Sequence, residues 1–117
     1  MAKGPEARLK AAVIPALTLV LGKRGFVHRE NSGAIVVGAG TKSERRINMG
    51  TPGFPDLLVL MENGRTLFIE LKSKTGKVSP AQAEMHERLE ALGHRVVVVR
   101  TVETAVGAVQ EELRRAG

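Results

Sequence analysis

The chain has 117 residues, of which 43% are hydrophobic, enough for one globular domain with a modest core. It has no cysteine, which excludes disulfides, thiolate metal sites and a thiol nucleophile. Its 18 Lys and Arg against 12 Asp and Glu give a net charge of +6, which favours a polyanionic partner such as nucleic acid. No apolar stretch reaches membrane-spanning length, and Glu6 and Lys10 interrupt any signal-peptide pattern.

The first 25 residues predict one amphipathic helix. It begins near Gly4, with Pro5 at the first helical position, where the missing N–H is tolerated. Pro15 lies inside the pattern and predicts a kink or a split, because proline removes a helix hydrogen bond. We expect the helix to end at Gly22 or Gly25. Its buried stripe would consist of Leu9, Val13, Leu17 and Val20 or Leu21.

Four strands are predicted between this helix and residue 72. The first two, 26–30 and 34–37, are joined by a turn at 31–33. Residues 38–53 are rich in Gly, Lys and Arg and predict one long loop, which in a compact domain is usually functional or disordered. Strands 56–61 and 66–72 follow.

The connection at 62–64 decides which side chains meet across the last two of these strands. A two-residue Asn-Gly turn would place Asp56 opposite Leu71, on the face away from Glu70. A three-residue loop with Gly64 in the left-handed conformation places Asp56 directly opposite Glu70. We predict the three-residue loop. Lys72 then shares the face of Glu70, because alternate residues of a strand point the same way.

The C-terminal third predicts a helix, a strand and a second helix. Ser79 and Gln82 form a capping box at the start of the first helix, and Gly93 ends it. The β-branched run 95–100 predicts a strand buried on both faces, joined to strand 66–72 by a right-handed parallel crossover. The last helix, 101–115, would turn Ala105, Val109 and Leu113 inward. The predicted order is α-β-β-β-β-α-β-α.

Asp56, Glu70 and Lys72 interrupt two adjacent apolar strands. A buried charge has to be paired, hydrogen-bonded or bound to a metal. Mg²⁺ takes oxygen ligands and keeps several waters, so Asp56 and Glu70 would be sufficient carboxylates, with the carbonyl of Leu71 as a possible third ligand. Lys72 would orient the attacking water or stabilise the phosphate. The pattern thus favours metal-dependent phosphodiester hydrolysis; the alternative is a partly exposed salt-bridge cluster.

Three motifs stand in order along the chain. They are Gly53-Phe54-Pro55-Asp56-Leu57-Leu58-Val59-Leu60, then Leu67-Phe68-Ile69-Glu70-Leu71-Lys72, then Gly76-Lys77-Val78-Ser79-Pro80-Ala81-Gln82. On these motifs the chain resembles the virus-type replication–repair nuclease (VRR-NUC) family of the PD-(D/E)xK superfamily, in a standalone minimal form, and the resemblance covers most of the chain. The resemblance implies one nuclease domain over 1–117, with a restriction-endonuclease-like α/β core in which helices flank a mixed central β-sheet.

The resemblance also assigns roles. It makes Asp56 and Glu70 metal ligands and Lys72 the catalytic lysine. It adds a glutamate from the first helix, for which Glu6 is the match, and places Gln82 close to the site. Glu6 has a structural alternative as an acid favoured by the helix dipole, and Gln82 has one as the capping-box residue.

Basic and imidazole side chains complete the set of candidates. His28, His86 and His94 show no metal-ligand spacing, so we expect them at the surface or the rim of the site. The alternative for the basic residues is a solvated loop, although flexible basic loops often order on DNA. The candidate phosphate contacts are Lys42, Arg45, Arg46, Lys74 and Lys77.

The function that the resemblance implies is a DNA endonuclease dependent on Mg²⁺ or Mn²⁺. Standalone relatives of this kind resemble structure-selective repair enzymes that cut branched DNA, notably four-way (Holliday) junctions. A homodimer would present one site to each of two opposed strands. The resemblance suggests a bacterial or phage-infected cell, hence the cytoplasm. Two alternatives stay open: a flap- or end-directed nuclease acting as a monomer or subunit, and a non-catalytic DNA-binding module.

Overall fold

The computed structural model describes residues 4–30, 34–48 and 50–116, which form a mixed α/β fold. Within these residues, a four-stranded sheet of order β1-β4-β5-β6 has helices on both faces, and β2 and β3 form a separate hairpin. The predicted fold class is confirmed, while the turn expected at 31–33 lies outside the described residues. The elements are α1 (Pro5–Leu21), β1 (Gly25–Arg29), β2 (Ala34–Val37), β3 (Arg45–Asn48), β4 (Leu57–Met61), β5 (Thr66–Leu71), α2 (Pro80–Ala91), β6 (Arg95–Val99) and α3 (Val102–Ala116).

Helix α1 is continuous over its 17 residues with Pro15 inside it. Of the two predicted effects of Pro15, a kink or a split, the split is therefore wrong. Pro15 is exposed, so the backbone group that loses its helix partner lies on the solvent side. Val13, Leu17 and Leu21 are buried as predicted. No helix in the described part of the chain is long and apolar enough to cross a membrane.

The predicted long loop 38–53 contains a strand, which corrects both that prediction and the element order. Residues Arg45–Asn48 form β3, which pairs antiparallel with β2 and sets Ile47 opposite Ile35. A turn closes the hairpin, with the Thr41 N–H donating to the Gly38 carbonyl at 3.0 Å. Ile47 is the one apolar residue of β3, so the strand depends on pairing with β2 rather than on an apolar pattern of its own.

Strand β6 lies at the edge of the sheet and pairs parallel with β5, as the crossover prediction required. The prediction that it is buried on both faces is wrong, because Val98 is 39% exposed. Val97 and Val99 point to the face covered by α1 and α3, whereas the face of Val98 is only partly covered by α2. An unbroken β-branched run therefore did not distinguish an edge strand from a central one.

The connection between β4 and β5 is the predicted three-residue loop. Gly64 has φ 73°, and Asn63 also adopts a left-handed conformation with φ 62°. The pairing runs from Leu60 opposite Thr66 to Leu57 opposite Ile69. Continuing it by one residue sets Asp56 opposite Glu70, so the register prediction is confirmed.

Alternation along β5 separates the core from the site. Leu67, Ile69 and Leu71 pack into the larger apolar cluster beneath α1 and α3. Phe68 points to the opposite face, where it packs with Met85 and Leu89 of α2. Glu70 has the same parity as Phe68 and therefore lies beneath α2.

The segment before β4 is fixed against the start of α2. Gly53 has φ +76°, and a Cβ there would lie 2.3 Å from the Ala81 carbonyl oxygen. Phe54 packs edge-to-face on Phe68, with ring centroids 5.6 Å apart, and Pro55 is fully buried. These contacts hold the three residues just before Asp56, so the position of Asp56 depends on that of α2.

The substitution Gly53→Ala tests the packing of Gly53 against the backbone of Ala81. We expect a loss of about 1–2 kcal/mol from the left-handed conformation and a further loss of about 1–3 kcal/mol from the clash with Ala81. Gly93→Ala is the matched control, because Gly93 has φ +93° with no atom within 4 Å of the added Cβ. Urea unfolding of both variants should show the larger loss at Gly53, and equal losses would contradict the proposed packing.

Candidate active site

Asp56 and Glu70 lie opposite each other where β4 begins and β5 ends. One carboxylate oxygen of Asp56, Oδ2, accepts a hydrogen bond of 2.8 Å from the backbone N–H of Leu71. The other, Oδ1, lies 3.7 Å from the ammonium of Lys10. Glu70 is 1% exposed. The Asp56 carboxylate is therefore anchored to the backbone of β5 next to a buried acid.

Helix α2 contacts both oxygens of Glu70. Gln82 Nε2 donates to Oε2 at 3.3 Å, and His86 Nε2 lies 3.1 Å from Oε1. Gln82 also completes the predicted capping box, since its Oε1 accepts from the Ser79 N–H at 2.9 Å. Gln82 is therefore both a capping residue and a neighbour of the site, because its amide oxygen caps the helix while its amide nitrogen contacts Glu70.

The electrostatic environment of Glu70 disfavours its charge. Burial, a hydrogen bond with Asp56 and the negative charges of Asp56 and Glu6 raise the pKa of Glu70 to about 9, against the opposing effect of Lys72. Burial is the largest of these causes, because it disfavours the charged form, and the neighbouring negative charges add to it. Acids with a perturbed pKa are frequent in active sites, although structural ion-pair networks also produce them.

Lys72 is buried, with 8% exposure, on the same side of β5 as Glu70. Its positive charge lowers the pKa of Glu70 and so partly opposes the effect of burial. The loop after it is held by Arg100, whose Nη1 donates to the carbonyls of Ser73 at 2.6 Å and Gly76 at 2.7 Å. Arg100 thus fixes the chain just beyond the lysine.

The first two turns of α1 place one acidic and one basic side chain near the two carboxylates. Glu6 is half-buried, and its charge contributes to the raised pKa of Glu70. Lys10, one turn later, forms the ion pair with Asp56. Sequence reasoning missed Lys10, although its i, i+4 spacing from Glu6 already placed both side chains on one helix face.

His86 is the clearest error among the site predictions. We expected it at the surface or the rim, but it is buried, with 8% exposure. Burial lowers its pKa, which favours the neutral ring. A signal was present in the sequence, because His86 follows Gln82 by four residues and lies between Met85 and Leu89, which are both buried.

The predicted phosphate contacts fall into two groups. Lys42 and Arg45 are exposed on the β2–β3 hairpin, and Lys74 and Lys77 are exposed in the loop that follows Lys72. The side chain of Arg46 lies outside the described part of the structure. Lys74 and Lys77 follow Lys72 by two and five residues, whereas the hairpin residues belong to a separate sheet.

The donor set fits a hard divalent cation that keeps part of its water shell. Across residues 4–30, 34–48 and 50–116, no three His, Cys, Asp or Glu side chains are gathered as a complete metal site. Mg²⁺ needs only one or two carboxylates when waters fill the remaining positions. Asp56 and Glu70 supply two, and the negative charge that raises the pKa of Glu70 would be relieved by a cation between them.

The raised pKa of Glu70 predicts how stability depends on pH in the presence of EDTA. Between the ordinary value of 4.5 and about 9, the folded state binds a proton that the unfolded state releases. The free energy of unfolding should therefore fall with rising pH, by up to about 1.4 kcal/mol per pH unit. Because the lowered pKa of His86 adds a slope of opposite sign near its ordinary value of 6.5, the Glu70 slope should appear as the difference between wild type and Glu70→Gln in chemical denaturation from pH 5 to 9.

Glu112→Gln is the matched control, because Glu112 is also a buried glutamate, with 3% exposure. Burial opposes its ionisation, but hydrogen bonds and charge from Arg95 and Arg65 outweigh burial and lower its pKa. Its contribution is lost only as pH falls through that lowered pKa. Glu112→Gln should therefore be less stable throughout pH 5–9 with an unchanged slope. Parallel curves for wild type and Glu70→Gln would refute the raised pKa.

Comparison with known proteins identifies the family of this chain. A family model described as VRR-NUC domain matches residues 37–103. A protein of Acyrthosiphon pisum secondary endosymbiont phage 1, named "Putative nuclease p44", is 43% identical over 53 residues, which is 45% of this chain. The match spans 57% of the length of that phage protein, less than two thirds.

Two solved structures share the fold. One, titled "VRR_NUC domain", has a TM-score of 0.63 at 23% identity over 92% of this chain and 97% of its own. Another, titled "VRR_NUC domain protein", has a TM-score of 0.63 at 19% identity over 97% of this chain and 92% of its own. The family match includes Asp56, Glu70, Lys72 and His86 but not Glu6. Because this family model matches more than half of its length, this chain belongs to the VRR-NUC domain family.

Proposed function

We propose that this nuclease hydrolyses phosphodiester bonds in DNA with a divalent cation, Mg²⁺ or Mn²⁺, held between β4 and β5. The observation that supports this most is the pairing of Asp56 with a Glu70 that is 1% exposed. Two facing acids, one of them buried, are costly unless positive charge or a proton neutralises them.

Asp56, Glu70 and the backbone carbonyl of Leu71 would hold the ion. When bound, such an ion lowers the pKa of a coordinated water and neutralises charge on the phosphate. The N–H of Leu71 already binds Asp56 Oδ2, at 2.8 Å. The peptide between Glu70 and Leu71 is thereby tied to the carboxylate that would share the cation.

The neighbouring side chains would act on the substrate and on the ligands. The ammonium of Lys72, whose side chain shares the side of Glu70 by strand alternation, would orient the attacking water or donate to the phosphate as negative charge develops. Glu6 would add negative charge from the start of α1. Gln82, 3.3 Å from Glu70, would keep that carboxylate in place.

Branched DNA, in particular the four-way junction, is the proposed substrate in a repair role, and a homodimer is the proposed assembly. Resolution of a junction requires cuts in two opposed strands, which two symmetric sites would provide. The chain has three Phe and no Tyr or Trp, so recognition would depend on backbone and shape rather than on base stacking. Exposed Lys42, Arg45, Lys74 and Lys77 support contact with phosphates; Arg46 is proposed with them.

Cleavage of labelled DNA tests this proposal. A four-way junction, a flap and a linear duplex are incubated with Mg²⁺, Mn²⁺ or EDTA, and the mass of the protein in solution is measured in parallel. We expect paired cuts in the junction, none in EDTA, and a dimeric mass. Lys72→Met keeps the buried volume but removes the charge, and should lower kcat by about 100-fold or more.

The controls separate the alternatives. Lys23→Met removes an exposed lysine beyond the end of α1 and should cut like wild type. Asp56→Asn should bind the junction without cutting it. Cutting of flaps or ends by a monomer would favour the alternative repair nuclease. Junction binding without cutting in any metal would contradict the catalytic role of Asp56, Glu70 and Lys72.

Salt dependence tests the phosphate contacts. Binding to a junction in EDTA should weaken steeply with salt, and each lost contact should reduce the log–log slope by about 0.9. We expect this change for Arg45→Ala and Lys77→Ala. Arg114→Ala removes an exposed arginine of α3 and is the control with the same charge change. Equal slopes for all variants and wild type would exclude these two residues as phosphate contacts.

A further inference from the structure

We propose that His86 is a positioning residue that holds Glu70 in the orientation needed to bind the cation. The inference rests on the proposed function, because it concerns how one of the proposed ligands is held. It adds a residue that neither the sequence motifs nor the resemblance assigned to the site. The supporting observation is the contact of 3.1 Å between His86 Nε2 and Glu70 Oε1 inside the protein.

The contact is one half of a clamp formed by α2. Gln82 and His86 are four residues apart, so their side chains lie one above the other on one helix face. They meet different oxygens of Glu70, at 3.3 Å and 3.1 Å. Contacts at both oxygens restrain the carboxylate from rotating about its last bond and from swinging away from Asp56.

The clamp leaves Glu70 able to bind a cation. Each carboxylate oxygen has two acceptor positions, of which the helix donors use one. For His86 to donate to Glu70, its proton must lie on Nε2, and then the contact also fixes the tautomer of the ring. Hydrogen bonds of this kind to metal-binding carboxylates typically change metal affinity by about 10–100-fold.

Packing alone does not account for an imidazole at this position. The neighbouring Met85 and Leu89 already join the apolar cluster around Phe68. An apolar side chain at position 86 would fit this environment without the cost of burying a polar ring. His86 is nevertheless buried with its ring nitrogen on Glu70.

The clamp is placed by contacts outside the site. The capping box of Ser79 and Gln82 fixes the first turn of α2, and Gly53 fits against the backbone of Ala81. Because the segment 53–55 also leads into Asp56, the same contact sets the positions of Asp56 and of the clamp on Glu70.

The test compares His86→Leu, His86→Gln and wild type by Mn²⁺ binding without DNA, followed by electron paramagnetic resonance. We expect His86→Leu to weaken Mn²⁺ binding about 10–100-fold, with a lower kcat at limiting Mn²⁺ and an unchanged KM for the junction. His86→Gln should restore much of the affinity, because its amide N–H can reach Glu70. A role in packing alone would change the melting temperature but not these quantities.

His94→Leu is the matched control. His94 is half-buried, lies 3.1 Å from the Thr66 hydroxyl and packs on Phe68, near the opposite end of β5 from Glu70. It should bind Mn²⁺ and cut like wild type. Wild-type Mn²⁺ affinity in folded His86→Leu would overturn the inference.

A second pair keeps the test decisive if His86→Leu does not fold. His86→Asn and His86→Gln are both polar, but the asparagine amide is one methylene shorter and should not reach Glu70. Equal Mn²⁺ affinity in the two variants would overturn the inference. If wild type cuts DNA and all His86 variants equal it in Mn²⁺ affinity and cleavage, this inference alone is refuted. A wild-type protein that neither binds Mn²⁺ nor cuts would remove the proposed function as well.

Discussion

The burial of one carboxyl group, that of Glu70, is the constraint on which the rest of the site depends. Its side chain is 1% exposed and faces Asp56, and its pKa is raised to about 9. An acid in this position costs stability when it ionises, because water is excluded and a second carboxylate is adjacent. The cation proposed between Asp56 and Glu70 would reduce this cost, because it would place positive charge beside both carboxylates.

Elements from both faces of the sheet converge on this group. The β4–β5 loop sets the register that puts Asp56 opposite Glu70. From one face α2 contacts both oxygens of Glu70, and from the start of α1 Lys10 reaches Asp56. The apolar side chains of β5 that alternate with Glu70 secure the strand in the core. Position of the site and stability of the fold therefore depend on the same strand pair.

A second buried acid in the same fold has its negative charge neutralised by ion pairs. Glu112 of α3 is 3% exposed, and its oxygens accept from Arg65 at 3.0 Å and from Arg95 at 2.8 Å. These arginines outweigh burial and lower its pKa, whereas the neighbours of Glu70 raise its pKa. Glu112 attaches α3 to the starts of β5 and β6, which is a structural role. The contrast supports a functional role for Glu70, because this chain is able to pair a buried acid when only stability requires it.

The sequence by itself determined the helices, most strands, the capping box and the pairing of Asp56 with Glu70, because periodicity, cap residues and loop length are local. Tertiary structure decided β3, the exposure of Val98, and the inward positions of His86 and Lys10. Strand β3 exists through pairing with β2, and Val98 is exposed because β6 lies at the sheet edge. His86 and Lys10 became site residues only where α2 and α1 packed against the strands that carry Glu70 and Asp56. Such contacts join residues distant in sequence, and no local pattern specifies which distant residue will be the partner.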